Sequence, residues 1–376
     1  MDNPAGGATP PELPKTMKAG VLHAIGDIRC DEVPTPRPGP DDVIVRVRAC
    51  GICGSDIARV FQTGMYHLPE IPGHEFAGEV VELGAHVTGV PVGERVAVVP
   101  LIECGKCPSC LIGEYSMCEN YDYLGSRSAG GLAEYVRAPA RNLVRLPDGL
   151  DFETGALTEV MAVALHAVRR AGGLTGAERV AVFGAGTVGL LAAQFARLLG
   201  ARAVCAVDVV EAKLEVARQV GSDLCVDARQ VDAAAAIVEW TQGRGAEIAI
   251  EASGANQALE QAIACLAKSG RLVLVGRQER PVQLAVGTFE AVLRRQLTLF
   301  GTWAWSRLPL TEWQVALGYA ARGAIQTAPL ISHRYPIDRV REAFDMIAGA
   351  KEVVHKVLLV FPSEPGRVPG GKEVSG

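Results

Sequence analysis

Two short segments near the start of the chain carry its most reactive side chains. Cys50-Gly51-Ile52-Cys53-Gly54-Ser55-Asp56 offers two thiols, a hydroxyl and a carboxylate. Gly73-His74-Glu75-Phe76-Ala77-Gly78 sets an imidazole beside a carboxylate, between glycines. Taken alone, Cys50-x-x-Cys53 reads as a redox pair. His74 and a further acid, Glu159, open a different reading. A catalytic zinc takes three protein ligands and keeps a fourth position open, and Cys, His and Glu make a suitable set.

Cysteine is concentrated again farther on. Cys104, Cys107, Cys110 and Cys118 are spaced C-x2-C-x2-C-x7-C. Four thiolates on one short lobe can close a tetrahedral shell around zinc, and Gly105, Pro108 and Gly113 help the backbone to wrap the ion. The competing reading is an iron–sulfur cluster. Bacterial ferredoxins share the first three cysteines but continue with x3 and a Cys-Pro, so the x7 spacing favours zinc. A closed shell stabilises a loop and does no chemistry. Of the ten cysteines, Cys30, Cys205, Cys225 and Cys265 are scattered among apolar residues and read as buried structural thiols.

A third group is built from backbone. Arg179 to Phe183 has the pattern of a buried strand and runs into Gly184-Ala185-Gly186-Thr187-Val188-Gly189, then into the helical stretch Leu190 to Leu199. This is G-x-G-x-x-G between a strand and a helix, the context the motif requires. Gly184 allows the tight turn, Gly186 the approach of a pyrophosphate, and Gly189 close packing of helix on strand. The helix N-terminus favours phosphate. A second strand, Ala203 to Val207, ends in Asp208. An acid there accepts hydrogen bonds from the adenosine ribose and repels a 2′-phosphate, which favours NAD over NADP. Lys213 can flank the adenosine, although a solvated helix-face lysine is the simpler reading.

These groups need a scaffold, and the patterning supplies two kinds. Residues 17–160 read as strands and turns, with strand candidates at Val43 to Arg48, Gly78 to Leu83, Arg95 to Val99 and Ala133 to Val136. Residues 161–302 alternate strand and helix, which implies an α/β, doubly wound parallel sheet. Residues 303–361 mix helices with a last strand, Lys356 to Phe361, that can return to the first domain. The dinucleotide unit is then an insertion in the catalytic domain. Residues 1–16 and 362–376 read as flexible tails. The 376 residues suffice for two such domains. The net charge of −5 argues against a nucleic-acid surface, which needs a basic face. No apolar run is long enough for a membrane span, and no leader pattern opens the chain, so a cytoplasmic location is expected.

Gly73-His74-Glu75, Gly78, Gly84 and Val87 match the signature G-H-E-x2-G-x5-G-x2-V. With the four-cysteine lobe and the nucleotide motif in the same order, the chain resembles the zinc-containing medium-chain alcohol dehydrogenase superfamily over about residues 17–361. Cys53 to Asp56, Gly125-Ser126-Arg127, Gly131 to Tyr135, Leu165-His166-Ala167 and His355 to Leu359 resemble its polyol branch, which includes sorbitol and galactitol-1-phosphate dehydrogenases. The resemblance implies a GroES-like, mostly-β catalytic domain joined to a Rossmann domain, NAD, and one catalytic and one structural zinc. It implies that Cys53, His74 and Glu159 bind the catalytic zinc, with Glu75 an alternating ligand or a carboxylate that tunes the bound water. Ser55 would take the substrate proton. Asp56 would orient His74 or pair with Lys356 near the cofactor. His166 reads as a core histidine.

Two departures stand out. Ala58 occupies the position where many relatives carry a relay histidine, and Val160 follows Glu159 where relatives usually have proline. The chemistry implied is hydride transfer between NAD and a secondary alcohol or ketone of a polyol-like small molecule, phosphorylated or not. A cyclitol or aminocyclitol is the alternative substrate, and a non-catalytic NAD-binding sensor is the remote rival. Tyr66, His67, Arg127, Glu134 and Trp303 are candidates for the pocket. Relatives are dimers or tetramers, and the run Arg271 to Val275, with a strand near Leu297 to Phe300, could extend a sheet across a dimer axis.

Overall fold

The computed structural model describes residues 13–278, 280–306, 311–349 and 352–361. The expected tail at 362–376, and 1–12 of the other, lie outside the described residues. Leu13 is buried and Thr16 already opens a strand, so order begins slightly earlier than expected.

The N-terminal part is β-rich. β1 (Thr16–Ala24) and β2 (Asp27–Pro34) form an antiparallel hairpin that the patterning did not reveal. A seven-stranded sheet follows, built around β3 (Asp42–Ile52) and β4 (Glu75–Leu83). It includes β5 (Arg95–Val98), β8 (Tyr135–Pro139) and β9 (Leu143–Arg145). Between these, β6 (Leu101–Ile102) and β7 (Asp122–Tyr123) pair at the root of the cysteine lobe. The C-terminal strands β16 (Ile331–Pro336) and β17 (Lys356–Val360) complete this sheet: β17 lies antiparallel to β3, with Val357 opposite Ile52. β17 therefore lies beside the strand that leads to Cys53.

The second sheet is wholly parallel. Its strands are β10 (Arg179–Phe183), β11 (Ala203–Asp208), β12 (Leu224–Asp227), β13 (Ala246–Glu251), β14 (Leu266–Leu274) and β15 (Thr298–Gly301). They lie in the order β12-β11-β10-β13-β14-β15, which is the doubly wound dinucleotide order with its reversal beside β10. Residues of β10 alternate between two cores. Val180 and Val182 pack with Leu190, Leu191 and Phe195; Ala181 and Phe183 pack with Ile237, Leu259 and Ile263. Burial on both faces explains why this strand reads as a continuous apolar run.

The helices that matter below are short α1 (Gly54–Ala58), α2 (Pro108–Leu111) and α3 (Phe152–Ala156). They are followed by α4 (Thr158–Arg170), α5 (Thr187–Leu198) and α6 (Glu211–Gln219). The remainder are α7 (Ala233–Trp240), α8 (Asn256–Ala264), α9 (Val286–Arg294), α10 (Glu312–Ala321) and α11 (Val340–Gly349). A boundary at residue 160 falls inside α4, whose buried face packs on both parts of the chain. Cys205 and Cys265 are buried as expected, but Cys30 and Cys225 are only partly so, because β2 and β12 are edge strands.

Candidate functional site

Strand register brings the two reactive segments together. Gly51 lies opposite Glu75 across β3 and β4, so the segments end side by side. A Cβ on Gly51 would sit 2.2 Å from Glu75 Oε2, so only glycine admits the carboxylate there. Cys53 caps α1, and its amide donates to Asp56 Oδ2 at 3.0 Å. The donor atoms of Cys53, His74 and Glu75 all lie within 4.8 Å of one another. A thiol, an imidazole and a carboxylate at that spacing suit zinc.

The neighbours tune this group. Asp56 is wholly buried, and its Oδ1 stands 3.3 Å from His74 Nδ1, an ion-pair contact that is not aligned as a hydrogen bond. Burial opposes charge on both groups, yet their mutual attraction wins: Asp56 is held below its ordinary range and His74 above it. Of the two partners expected for Asp56, the structure places it beside His74, not Lys356. With the carboxylate on the Nδ1 side, Nε2 is the ring nitrogen left for a metal. Lys356, expected at the cofactor, instead points into the metal group. Its buried Nζ donates to Glu75 at 2.6 and 2.8 Å and to Ile52 O at 3.3 Å, since the strand alternation of β17 turns it toward β3.

Glu159 sits in the first turn of α4, behind this group. It is not among the three clustered donors. Tyr123 Oη donates to its Oε1 at 3.4 Å. Burial, offset in part by His74, pushes its carboxyl up to about 7. A carboxyl held up in the folded state favours folding while it is protonated. That contribution is complete below about pH 4.5 and is lost as pH rises through about 7. In protein that keeps the lobe zinc but lacks the catalytic one, Glu159→Gln should therefore melt above the parent at pH 8, with the gap closing toward pH 4.5. A gap of equal size at both pH values would contradict this environment for Glu159.

The cysteine lobe is compact. Cys107 and Cys110 Sγ are 3.5 Å apart, Cys107 and Cys118 3.9 Å, and Cys104 and Cys110 4.0 Å. Zn–S bonds of about 2.3 Å in a tetrahedron separate the sulfurs by about 3.8 Å, so the four thiols fit the ion. Amides of Lys106 and Cys107 lower the Cys104 thiol to about 6, whereas burial and Cys107 push Cys110 up to about 12. Backbone N–H groups aimed at sulfur are what a thiolate needs.

The glycine loop is equally well defined. A Cβ on Gly189 would lie 1.8 Å from Gly184 O, so α5 can approach β10 only through glycine. Gly186 caps α5, and a Cβ there would meet nothing within 4 Å. That open space before a helix N-terminus fits a phosphate. Thr187 and Val188 form the first turn of α5. Asp208, at the end of β11, accepts from Ala185 N at 2.7 Å and from Val209 and Val210 N at 2.8 and 2.9 Å. It thus stands against the loop.

Comparison with known proteins covers both parts of the chain. Residues 39–148 match the alcohol dehydrogenase GroES-like domain, and residues 187–321 match the zinc-binding dehydrogenase domain. The chain is 35% identical over 347 residues to galactitol 1-phosphate 5-dehydrogenase of Escherichia coli K12, covering 92% of this chain and all of the relative. The chain belongs to the zinc-binding alcohol dehydrogenase family. Sorbitol dehydrogenase of Halalkalibacterium halodurans is 34% identical over 348 residues, 91% of this chain and 99% of that one. A zinc-binding dehydrogenase structure from Sinorhizobium meliloti 1021, bound to NADP, superposes with a TM-score of 0.86 at 32% identity, covering 92% of this chain and 99% of the other.

Two residues of the dehydrogenase site escaped sequence reasoning. Arg59 Nη1 donates to Ser55 Oγ at 3.0 Å and to Asp56 Oδ1 at 2.9 Å. Its spacing of three and four residues from them was a readable signal. Tyr123 is partly buried, edge-on to His74, with ring centroids 5.8 Å apart; no local pattern announces it. Of the pocket candidates, Arg127 lies between the rings of Tyr66 and Tyr121, at 4.4 and 4.2 Å. Tyr66 and His67 are exposed. Glu134 instead accepts the Lys18 amide at 2.8 Å, and Trp303 faces solvent while Trp305 packs on Tyr123. His166 Nδ1 pairs with buried Glu312 at 3.1 Å, as a core histidine does.

Proposed function

We propose that this dehydrogenase oxidises and reduces a secondary alcohol carbon of a polyol or sugar alcohol, phosphorylated or not, using NAD. The observation that carries this reading is the convergence of Cys53, His74 and a carboxylate beside the Ser55 hydroxyl. When bound, zinc would supply a Lewis acid for the substrate oxygen and nicotinamide would accept the hydride. Cys53 and His74 would hold the metal with a carboxylate, Glu75 where the donors now stand or Glu159 if it moves forward. In the second case Glu75, whose two oxygens are engaged by Lys356, would stay behind as an exchangeable ligand. Ser55 Oγ takes the substrate proton. Arg59 holds that oxygen in place and, as a permanent cation, cannot itself serve as a relay. With Ala58 next to it, the proton passes from Ser55 to water or to Glu75.

We assign residues 17–160 and 303–361 to the catalytic unit and 161–302 to the dinucleotide unit, with α4 shared. Asp208 beside the glycine loop supports NAD. Lys213, in the first turn of α6, would flank the adenosine. The ten unpaired cysteines suit a reducing, cytoplasmic setting. Among the described residues no helix is long and apolar enough to cross a membrane. The test is a screen of NAD and NADP reduction with hexitols, hexitol phosphates and cyclitols. Turnover with a hexitol or its phosphate and NAD supports the reading; turnover confined to cyclitols, or to NADP, overturns it in that part.

A homodimer is the assembly we favour. Helix α9 buries none of its residues and exposes Val286, Phe289 and Leu293, and β15 exposes Leu299. β14 lies inside the sheet, so β15 alone offers that edge. Paired edges would cover an apolar patch of this kind. Leu293→Glu should halve the mass measured by light scattering; an unchanged mass rules this face out.

A further inference from the structure

Arg127 is a cation without a counter-charge. Among the described residues no carboxylate pairs with it, and the groups that act on its charge are the phenols of Tyr121 and Tyr66. Its guanidinium lies between their rings, 4.4 Å from the centroid of Tyr66 and 4.2 Å from that of Tyr121. Nη2 donates to Tyr66 Oη at 3.4 Å. Nε is closed to solvent and has no partner. The side chain as a whole is only partly buried and neither Nη is shut off in that way, so the Nη end of the fork stays within reach of a ligand. Other arginines are paired: Arg59 meets Asp56 at 2.9 Å, Arg137 meets Asp42 at 3.5 Å, and Arg334 meets Glu153 at 2.7 Å.

The backbone sets this cation at the edge of the metal group. The amides of Ser126 and Arg127 donate to Tyr123 O at 3.1 and 2.9 Å, and Gly125 N donates to Ser128 O at 2.8 Å, which closes a tight turn. That turn rests on the residue before His74: Gly125 has a φ of +82°, and a Cβ there would lie 2.2 Å from Gly73 O. Tyr123, at the base of the turn, is the ring that meets His74 and donates to Glu159. Tyr121 meets Tyr123 edge-on, with centroids 6.3 Å apart. Tyr66 comes from the opposite side, on the segment that joins the helix of Ser55 to Gly73. Two aromatic rings thus separate the guanidinium from His74, so it serves the far end of a bound substrate and not the reacting carbon.

A guanidinium held flat between two rings presents its N–H groups in one plane, the arrangement that takes two oxygens of a phosphate at once. The Tyr66 hydroxyl, beside Nη2, adds a further donor. A polyol hydroxyl offers such a fork one dipole, whereas a phosphate offers several oxygens and the opposite charge. We propose that Arg127 binds a phosphate carried by the substrate at the end away from the reacting carbon, so that the polyol is a phosphate monoester. This rests on reading Cys53, His74 and a carboxylate as the centre that acts on the alcohol.

The test compares a hexitol with its terminal phosphate ester, using the full zinc-loaded chain as parent, Arg127→Gln and Arg127→Lys. The parent should show the higher kcat/KM for the phosphate. Arg127→Gln should lower the ratio of the two kcat/KM values, phosphate over hexitol, by about ten- to a hundred-fold, the loss of charge-assisted hydrogen bonds. That loss should fall on KM for the phosphate more than on kcat, because a contact remote from the reacting carbon is made alike in ground and transition state. Lysine keeps the charge without the planar fork and should restore part of the ratio. Calorimetric titration of the NADH-loaded chain with the hexitol phosphate should show the same weakening in Arg127→Gln. An unchanged ratio in Arg127→Gln, a parent that prefers the free hexitol, or turnover confined to unphosphorylated alcohols overturns the proposal and leaves the metal centre standing. A parent that oxidises no alcohol of either kind overturns both.

Discussion

Cys53→Ser should release the catalytic zinc and lower turnover by at least about a thousand-fold. The size follows from what is lost. A metal that polarises the substrate oxygen contributes several kcal/mol to the barrier, and about 4 kcal/mol is a factor of a thousand. Serine keeps the size of the side chain but remains a neutral hydroxyl, where the thiol becomes an anionic ligand. His74→Ala is a less clean test. It would strand Asp56, a wholly buried carboxylate, with Arg59 as its remaining cation, and the chain would be destabilised for reasons unrelated to zinc. Metal analysis should find Cys53→Ser with one zinc per chain in place of two, the survivor being in the four-cysteine lobe. Full zinc content together with turnover within ten-fold of the parent would remove Cys53 from the centre.

The second large effect concerns that lobe. Cys110→Ala should lose the lobe zinc and unfold residues 104–118 locally while the rest of the chain stays folded. The apolar core of the lobe consists of the cysteines themselves, with Tyr115 and Tyr121 packed against them. Helix α2 has four residues and the turn Tyr115–Met117 three, too few to persist alone. Metal binding therefore supplies the folding energy of the segment. Amide exchange across 104–118 should rise by orders of magnitude, and exchange in β10 and β11 should not. Some activity should also be lost, because Tyr121 and Tyr123 follow the lobe and Tyr123 holds Glu159. Retained amide protection after loss of the zinc would show that the lobe folds without it.

Much of this was legible in the sequence because local patterns encode it. The strand over Arg179 to Phe183 is found over those same residues, since a fully buried parallel strand is a continuous apolar run. The cysteine spacing carries its own geometry. What the sequence hid lies in long-range pairing. Strand β4 begins at Glu75, three residues before the expected start, because register with Gly51 extends it. The partner of Lys356 is Glu75, 281 residues away, and nothing in either segment announces the pair. The choice between Glu75 and Glu159 is a further case. Sequence resemblance implies Glu159 with Glu75 as an alternating ligand; the clustered donors include Glu75, and Glu159 accepts from Tyr123, an arrangement that no local pattern distinguishes. The β1–β2 hairpin was missed because its burial pattern alternates only weakly along β2.

In the proposed function, one centre, Cys53 and His74 with a carboxylate, acts on an alcohol carbon presented to a nicotinamide held by the glycine loop. Transfer of isotope tests it most directly. The substrate selected by the screen is labelled with deuterium at its carbinol carbon and incubated with NAD. The expected result is deuterium in the NADH formed by the zinc-loaded chain, with transfer at least a thousand-fold slower in Cys53→Ser. Deuterium released to solvent, or transfer in Cys53→Ser at the rate of the parent, would contradict the account.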